Sequence, residues 1–136
     1  MKLVGKYPYV QAIPGAPFRP ILYVKIVNDH NPQKSIIITC LLDTGADVCV
    51  LPQSACEVLG HNLENGCDSI HIGGITGLIT GHLHSNRIVI GAVEEKCDFY
   101  ICEGMEDENG ILGHKGFFDR FQVFFDTRRN YFIIYK

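Results

Sequence analysis

The sequence lacks several features that define common classes of protein. Its Lys and Arg residues form no cluster, and its formal net charge at pH 7 is only −3, which argues against a nucleic-acid-binding surface. Charged residues and proline interrupt its apolar runs before they reach the length of a signal-peptide core or a membrane span. No internal repeat and no low-complexity segment is present. We therefore expect neither nucleic acid nor a membrane as a partner, and we expect a cytoplasmic location.

Cysteine is present, but not in a pattern that is typical of a metal site. The six cysteines include no Cys-x-x-Cys pair and follow no zinc-like spacing. Cys40 and Cys49 lie inside apolar runs, where cysteine behaves as a small hydrophobic residue. We expect most of the six to be buried free thiols, which favours a reducing compartment. We expect no metal ion and no cofactor.

The length and composition indicate one globular domain. The chain has 136 residues, of which 46% are hydrophobic and 20% are charged, so it can bury a core without disulfide bonds. Four of its six prolines fall within residues 1–20, and this density predicts an irregular N-terminal arm. The predicted domain therefore comprises residues 21–136.

The pattern of apolar and turn-forming residues predicts an all-β fold. Residues 21–27 and 35–42 read as paired strands, the second covered on both faces and leading directly to Asp43. A short helix is predicted to begin at Pro52 and end at Gly60, with Ala55, Cys56, Val58 and Leu59 turned inward. A long hairpin is predicted over 69–90 and a strand over 97–102. One or two helical turns are predicted over 115–120, and strands over 121–125 and 131–135. A small closed barrel with one or two short helices best removes exposed sheet edges.

The chemical signal lies in the segment Asp43-Thr44-Gly45-Ala46-Asp47. Asp-Thr-Gly alone is common in surface turns, where the aspartate caps the turn. Here an apolar strand precedes it, Ala46-Asp47 follows it, and Ile111-Leu112-Gly113 lies downstream. With these supports, the segment resembles the active site of the retropepsin-like aspartic proteases. The resemblance extends from about Ile21 to the C-terminus. Residues 115–121 look more like cellular or bacterial members than viral ones.

The resemblance implies an aspartic endopeptidase that cuts extended peptides as a homodimer, with one lobe of the acid-protease fold per chain. Asp43 of each copy would form the catalytic pair. The Thr44 hydroxyl would brace the two active-site loops, and Gly45 would let the backbone approach the substrate. Ala46 and Asp47 would contact the substrate, and Asp47 would also help to hold the dimer.

The chemistry of peptide hydrolysis explains why such a site needs two carboxylates. Peptide hydrolysis without a metal or a covalent nucleophile needs one group that takes a proton from water and another that protonates the carbonyl oxygen. Two carboxyl groups about 3 Å apart cannot both ionise, so they share one proton and perform both tasks. Since the chain has one such motif, a monomer should be inactive.

A glycine-rich hairpin lies between the two signatures, where the family has its flap. Gly73, Gly74 and Gly77 permit a mobile tip that closes over a peptide, and the resemblance assigns substrate contacts to these glycines, Ile75 and Thr76. By itself, a Gly-Gly pair in this setting is also typical of a plain hairpin turn.

The second signature, Ile111-Leu112-Gly113, matches the family at its glycine, but the residue that follows differs from the viral members. Gly113 matches the glycine that leaves room beneath the active-site loop. His114 follows it, where viral members commonly have an arginine that pairs with the equivalent of Asp47. This difference puts that pairing into question.

Other residues admit more than one interpretation. His82 and His84 could bind a metal, but no third ligand is evident, and we expect surface histidines. The phenylalanines between 117 and 125 indicate a core or an interface rather than a ligand pocket, and the acidic segment 103–108 indicates a solvated loop rather than a calcium site. A non-catalytic module that dimerises or binds peptides is the alternative function, although such a module has no need for two carboxylates held in mutual repulsion.

Overall fold

The computed structural model describes residues 1–74, 77–106 and 109–136. Within them the chain forms fourteen strands, one short α-helix and one 3-10 turn. The strands are β1 Leu3–Pro8, β2 Val10–Gln11, β3 Phe18–Arg19, β4 Ile21–Asn28, β5 Asn31–Leu42, β6 Val50–Pro52, β7 Ser69–Gly74, β8 Gly77–His84, β9 Asn86–Ile90, β10 Val93–Lys96, β11 Phe99–Cys102, β12 Gly110–Leu112, β13 Gln122–Asp126 and β14 Tyr131–Tyr135. The helix α1 is Ser54–Val58, and the 3-10 turn is Leu63–Asn65. The all-β prediction is confirmed.

The strands form a nine-stranded mixed sheet and two smaller sheets. The large sheet has the order β10-β9-β4-β5-β12-β6-β11-β8-β7. A three-stranded sheet has the order β1-β14-β13, and β2 pairs with β3. The side chains between the two larger sheets form one main core, which includes Leu22, Ile88, Phe99, Phe117 and Phe132. Burial of each such side chain stabilises the fold by about 1.5–3 kcal/mol.

The predicted pairing of the first two long strands is confirmed, but one detail is wrong. β4 and β5 pair as antiparallel neighbours from Ile21 opposite Leu41 to Asn28 opposite Asn31. Along β5, Ile38, Cys40 and Leu42 are buried, whereas Ile37 is 73% exposed. The strand therefore alternates between a core face and an open face, and it is not covered on both sides.

The N-terminal arm is more regular than its prolines predict. β1 pairs with β14, with Tyr7 opposite Phe132 and Pro8 opposite Tyr131. β1 is an edge strand of its sheet, which is the position where proline is tolerated. Tyr7 stacks on Phe132 at a centroid distance of 5.4 Å. The division of the domain at residue 20 stays a prediction.

Three other local predictions need correction. Val58 on α1 is 50% exposed and does not point inward. Ile88 and Ile90 belong to β9, which pairs with β4 and β10, so the long hairpin ends at His84. Residues 115–120 form successive turns rather than a helix, since Gly116 has a φ of 109° and interrupts the helical geometry.

The cysteine prediction is confirmed, because all six are free thiols and five are buried. In the described part of the chain, no helix is long and apolar enough to cross a membrane.

Candidate active site

Two neighbouring strands of the large sheet, β5 and β12, position Asp43, which directly follows the last residue of β5. β12 runs parallel to β5, with Ile111 opposite Leu41 and Leu112 opposite Leu42. The backbone N–H of Asp43 donates to the Leu112 carbonyl at 3.0 Å, so the ladder extends one residue beyond β5. On the other side, the Leu42 N–H donates to the Pro20 carbonyl at 2.9 Å. Asp43 therefore starts its loop from a position that is fixed on both sides.

The Asp-Thr-Gly segment forms a tight turn around the Asp43 carboxylate. The Ala46 N–H donates to the Asp43 carbonyl at 3.1 Å, and the Gly45 N–H donates to the Asp43 Oδ1 at 2.9 Å. A Cβ added at Gly45 would lie 3.2 Å from Oδ1, so glycine allows this close contact. Among the described residues, Asp43 Oδ2 accepts no hydrogen bond, which leaves it available for a water molecule or a second carboxyl group.

Gly113 allows the second signature to pack directly against this loop. A Cβ on Gly113 would lie 2.3 Å from the Val48 carbonyl oxygen and 2.7 Å from that of Ala46. Such distances are impossible without displacement of the backbone, so the geometry agrees with the space-making role expected of Gly113. The Lys115 N–H, which donates to the Asp47 carbonyl at 2.9 Å, extends the contact to the end of the loop.

His114 contacts the loop in a way that the sequence did not predict. Its Nε2 donates a hydrogen bond to the Thr44 carbonyl at 2.6 Å, and its ring packs against Phe118 at a centroid distance of 5.5 Å. Within the described ranges, neither His114 nor another cation forms an ion pair with Asp47. The histidine therefore holds the backbone of the Asp43 loop, and does not replace the arginine–aspartate pair of the viral members.

A cleft of about 390 Å³ opens above the carboxylate. Asp43, Gly45, Ala46 and Asp47 line one side, and β7 lies opposite with residues 70–73. The structure therefore brings five of the predicted site residues together, including Gly73. A second cavity, of about 410 Å³, lies beyond Ile111, which lines both cavities.

Of the other predicted site residues, Thr44 and Gly77 are not among the described residues that line this cleft. Thr44 and Gly77 are exposed, and Gly74 pairs with Gly77 at the end of the hairpin. Ile75 and Thr76, which we expected to contact the substrate, lie outside the described residues.

Sequence reasoning missed several residues that line the cleft: Val50, Ile70, His71, Ile72 and Ile111. The alternation of Ile70 and Ile72 in a strand next to the predicted flap was a usable signal for the apolar wall. His71 carried no such signal, because its place in the cleft depends on how the hairpin folds back over the loop.

Three buried thiols lie beneath the second signature, and their environment excludes them as nucleophiles. The Gly113 N–H donates to Cys49 Sγ at 3.3 Å, and Cys97 Sγ lies 3.9 Å from Cys49 Sγ. The hydrogen bond to Cys49 and burial raise the pKa of the Cys97 thiol, and burial raises the pKa of Cys40. Because the thiolate is the reactive form, Cys40 and Cys97 act as core side chains, and Cys49 is fully buried beside them.

The expectation of surface histidines is wrong for His84. His84 is only 6% exposed, its Nε2 donates to the Leu63 carbonyl at 3.2 Å, and its ring lies 4.4 Å from that of His61. Burial, followed by the neighbouring His61, lowers the pKa of His84. His82 lies 2.9 Å from a carboxylate oxygen of Glu103. Within the described residues, no group of three or more His, Cys, Asp or Glu side chains could hold a metal ion.

Comparison with known structures identifies the fold. The chain resembles a retropepsin-like aspartic protease from Rickettsia conorii with a TM-score of 0.65 and 20% identity, over 95% of this chain and 98% of the other. It resembles EIAV protease, solved with the inhibitor HBY-793, with a TM-score of 0.52 and 24% identity, over 77% of this chain and 88% of the other. These similarities show that the chain has the retropepsin-like fold. A search among curated proteins found no match.

Comparison with protein families covers most of the chain. The retroviral aspartyl protease family matches residues 17–106. This range contains β4, β5, the Asp43 loop and the β7–β8 hairpin. The second signature lies beyond this range, and its assignment depends on its contact with the loop. Since the match spans well over half of the sequence, the chain belongs to the retroviral aspartyl protease family.

Proposed function

We propose that the protein is an aspartic endopeptidase whose active site forms when two copies bring their Asp43 carboxylates together. The observation that carries this proposal is the setting of Asp43: Oδ1 is held by the Gly45 N–H, while the side chain lines an open cleft with β7 opposite. A purely structural aspartate would only cap its own turn, whereas Asp43 caps the turn with Oδ1 and its side chain also lines a substrate-sized cavity.

The proposed reaction uses a pair of carboxyl groups that share one proton. The ionised Asp43 takes a proton from water while the hydroxide attacks the peptide carbonyl carbon, and the protonated Asp43 of the second copy gives its proton to the carbonyl oxygen. The resulting diol then collapses as its hydroxyl proton returns to one carboxylate and the amine leaves with the other proton. The pair ends with a single shared proton, as it began.

The exposure of the loop supports assembly from two copies. Thr44, Gly45 and Asp47 are exposed, and Asp43 is only partly buried. The Thr44 hydroxyl has no hydrogen-bond partner within the described residues, which agrees with a brace that is completed by another chain. A two-fold axis close to Asp43 would place the same residues of both copies against each other.

The hairpin supports an extended peptide as the substrate. β7 is the last strand of the large sheet and pairs only with β8 within the described ranges, so its outer backbone groups are free to pair with a peptide. Addition of a strand to a sheet edge is a common mode of peptide recognition. Val50, Ile72 and Ile111 give the cleft apolar walls, which suit apolar side chains on either side of the cleaved bond.

The buried free thiols support one further part of the proposal. Five of six cysteines are buried and unpaired, which suits a reducing compartment. We therefore propose that the protein works in the cytoplasm.

The function is tested with Asp43→Asn and a matched control, Glu57→Gln, which changes an exposed carboxylate on α1. An unfolded protein substrate is incubated with each variant, and the fragments are counted by mass spectrometry. We expect Asp43→Asn to lose cleavage entirely, because an amide cannot accept the proton of water, and Glu57→Gln to cleave normally. Equal cleavage by both variants would contradict the proposal.

A second assay separates the enzyme from a peptide-binding module. An uncharged peptide mimic with a hydroxyl at the cleavage position should bind the wild-type dimer and inhibit cleavage. Binding of the parent peptide without any cleavage would favour the non-catalytic module.

A further inference from the structure

His114 contacts the catalytic loop through two different groups. Its backbone N–H donates to the Ala46 carbonyl at 2.9 Å, and its side-chain Nε2 donates to the Thr44 carbonyl at 2.6 Å. The first bond resembles the neighbouring bond from Lys115 to Asp47, and any residue other than proline could form it. The second depends on the side chain and is specific to this position.

The Thr44 carbonyl belongs to the same peptide group as the Gly45 N–H. That N–H donates to the Asp43 Oδ1 at 2.9 Å. The three groups therefore form a continuous chain from the imidazole, through one peptide group, to the carboxylate. Hydrogen bonds in a chain polarise one another, so donation to the carbonyl makes the peptide N–H a stronger donor. A stronger donor to Oδ1 holds the carboxylate more firmly in its orientation.

The surroundings of His114 hold its ring in the orientation that this bond needs. The ring packs against Phe118, and the Asp119 N–H donates to the His114 carbonyl at 3.0 Å. The carbonyl oxygen of Thr44 can only accept, so Nε2 carries a proton. Imidazole has that proton in one neutral tautomer and in the charged form, and the bond therefore persists in both charge states.

We propose that His114 is a positioning residue that orients the Asp43 carboxylate through the peptide group of Thr44 and Gly45. It acts through that group and does not contact the reacting atoms. The part of this inference that concerns turnover rests on the proposed function. The part that concerns the hydrogen-bond chain does not, and it can be measured in a protein that cleaves nothing.

Two substitutions separate the hydrogen bond from the packing of the ring. His114→Phe keeps an aromatic ring against Phe118 but removes the donor. His114→Gln restores an N–H near the position of Nε2 without a titratable group. His30→Phe serves as the control, because His30 is exposed and lies outside the cleft lining.

In the kinetic assay we expect His114→Phe to lower kcat about three- to tenfold, the effect of one neutral hydrogen bond, with little change in KM. His114→Gln should restore kcat to near the wild-type value. A loss of kcat that glutamine does not restore would assign the effect to packing and would overturn the proposal.

The second readout is the backbone amide of Gly45 in ¹⁵N-labelled protein. In His114→Phe the amide proton should move upfield and exchange faster with solvent, whereas His114→Gln and His30→Phe should resemble the wild type. If the Gly45 amide does not respond to loss of the imidazole, the proposal is wrong whatever the kinetics show. If it responds in a protein that has no protease activity, the hydrogen-bond chain is supported and the proposed function fails.

Discussion

At the scale of single residues, contacts between backbone segments decide the shape of the active-site loop. Gly113 lies against two carbonyl oxygens of the loop, and His114 and Lys115 donate to the loop backbone. Asp43 and Gly113 could be identified from the sequence, because each belongs to a recognisable motif. The bond from His114 to Thr44 could not be identified, because a side-chain partner 70 residues away leaves no trace in local spacing.

The role of Gly113 predicts a large effect from a single methyl group. In Gly113→Ala the new Cβ meets the Val48 carbonyl oxygen, so the loop must shift. We expect a loss of about 1–3 kcal/mol in the free energy of unfolding and a loss of most activity. Urea denaturation measures the first effect. Gly73→Ala is the control, since its Cβ would meet its nearest neighbour at 3.8 Å, and a similarly small change in both variants would argue against the tight packing.

The burial of His84 predicts how stability depends on pH. Burial and His61 lower the pKa of His84 in the folded state, whereas the unfolded chain binds the proton with the ordinary pKa of about 6.5. The unfolded state therefore gains protons first, and stability should fall as the pH drops from about 6.5 towards the folded pKa. Urea denaturation at several pH values should show a weaker dependence in His84→Gln. An unchanged dependence would show that His84 is not its source.

At the scale of elements, short-range patterns predicted most strands but not all of their partners. β4, β5 and β14 were predicted from β-branched and aromatic runs, and the structure confirms them. β1 was missed because its partner, β14, lies at the other end of the chain. β9 was assigned to the hairpin, because local alternation shows that a strand exists but not which strand it joins.

At the scale of elements, the testable prediction concerns closure of the β7–β8 hairpin. Gly77 has a φ of 111°, a conformation that strains any other residue, while Gly73 has room for a side chain. If the hairpin closes over the substrate, Gly77→Ala should lower kcat/KM much more than it lowers the melting temperature. Gly73→Ala should change the melting temperature little. Normal cleavage by Gly77→Ala would indicate an ordinary turn.

At the scale of the whole molecule, the proposed function requires that one chain presents half of a site. The fold class and family could be predicted because an apolar strand, Asp-Thr-Gly and a second signature occur in the expected order. The homodimer was expected from the resemblance alone, and the surfaces that would form it could not be predicted, because they combine residues from distant segments whose exposure becomes visible only in the folded chain. Within the described residues, the exposed Asp43 loop and the outer edge of β7, which pairs only with β8, are features of this kind.

The central claim, that each active site needs Asp43 from two chains, is tested most directly by mixing wild-type chains with Asp43→Asn chains. The wild-type concentration is kept constant, the total is kept high enough for all chains to be dimeric, and subunits are allowed to exchange. With random pairing, equal amounts should leave about half of the activity per wild-type chain, and a ninefold excess of the variant about a tenth. Activity that stays constant while mixed dimers form would show that one Asp43 is sufficient, and would contradict the account.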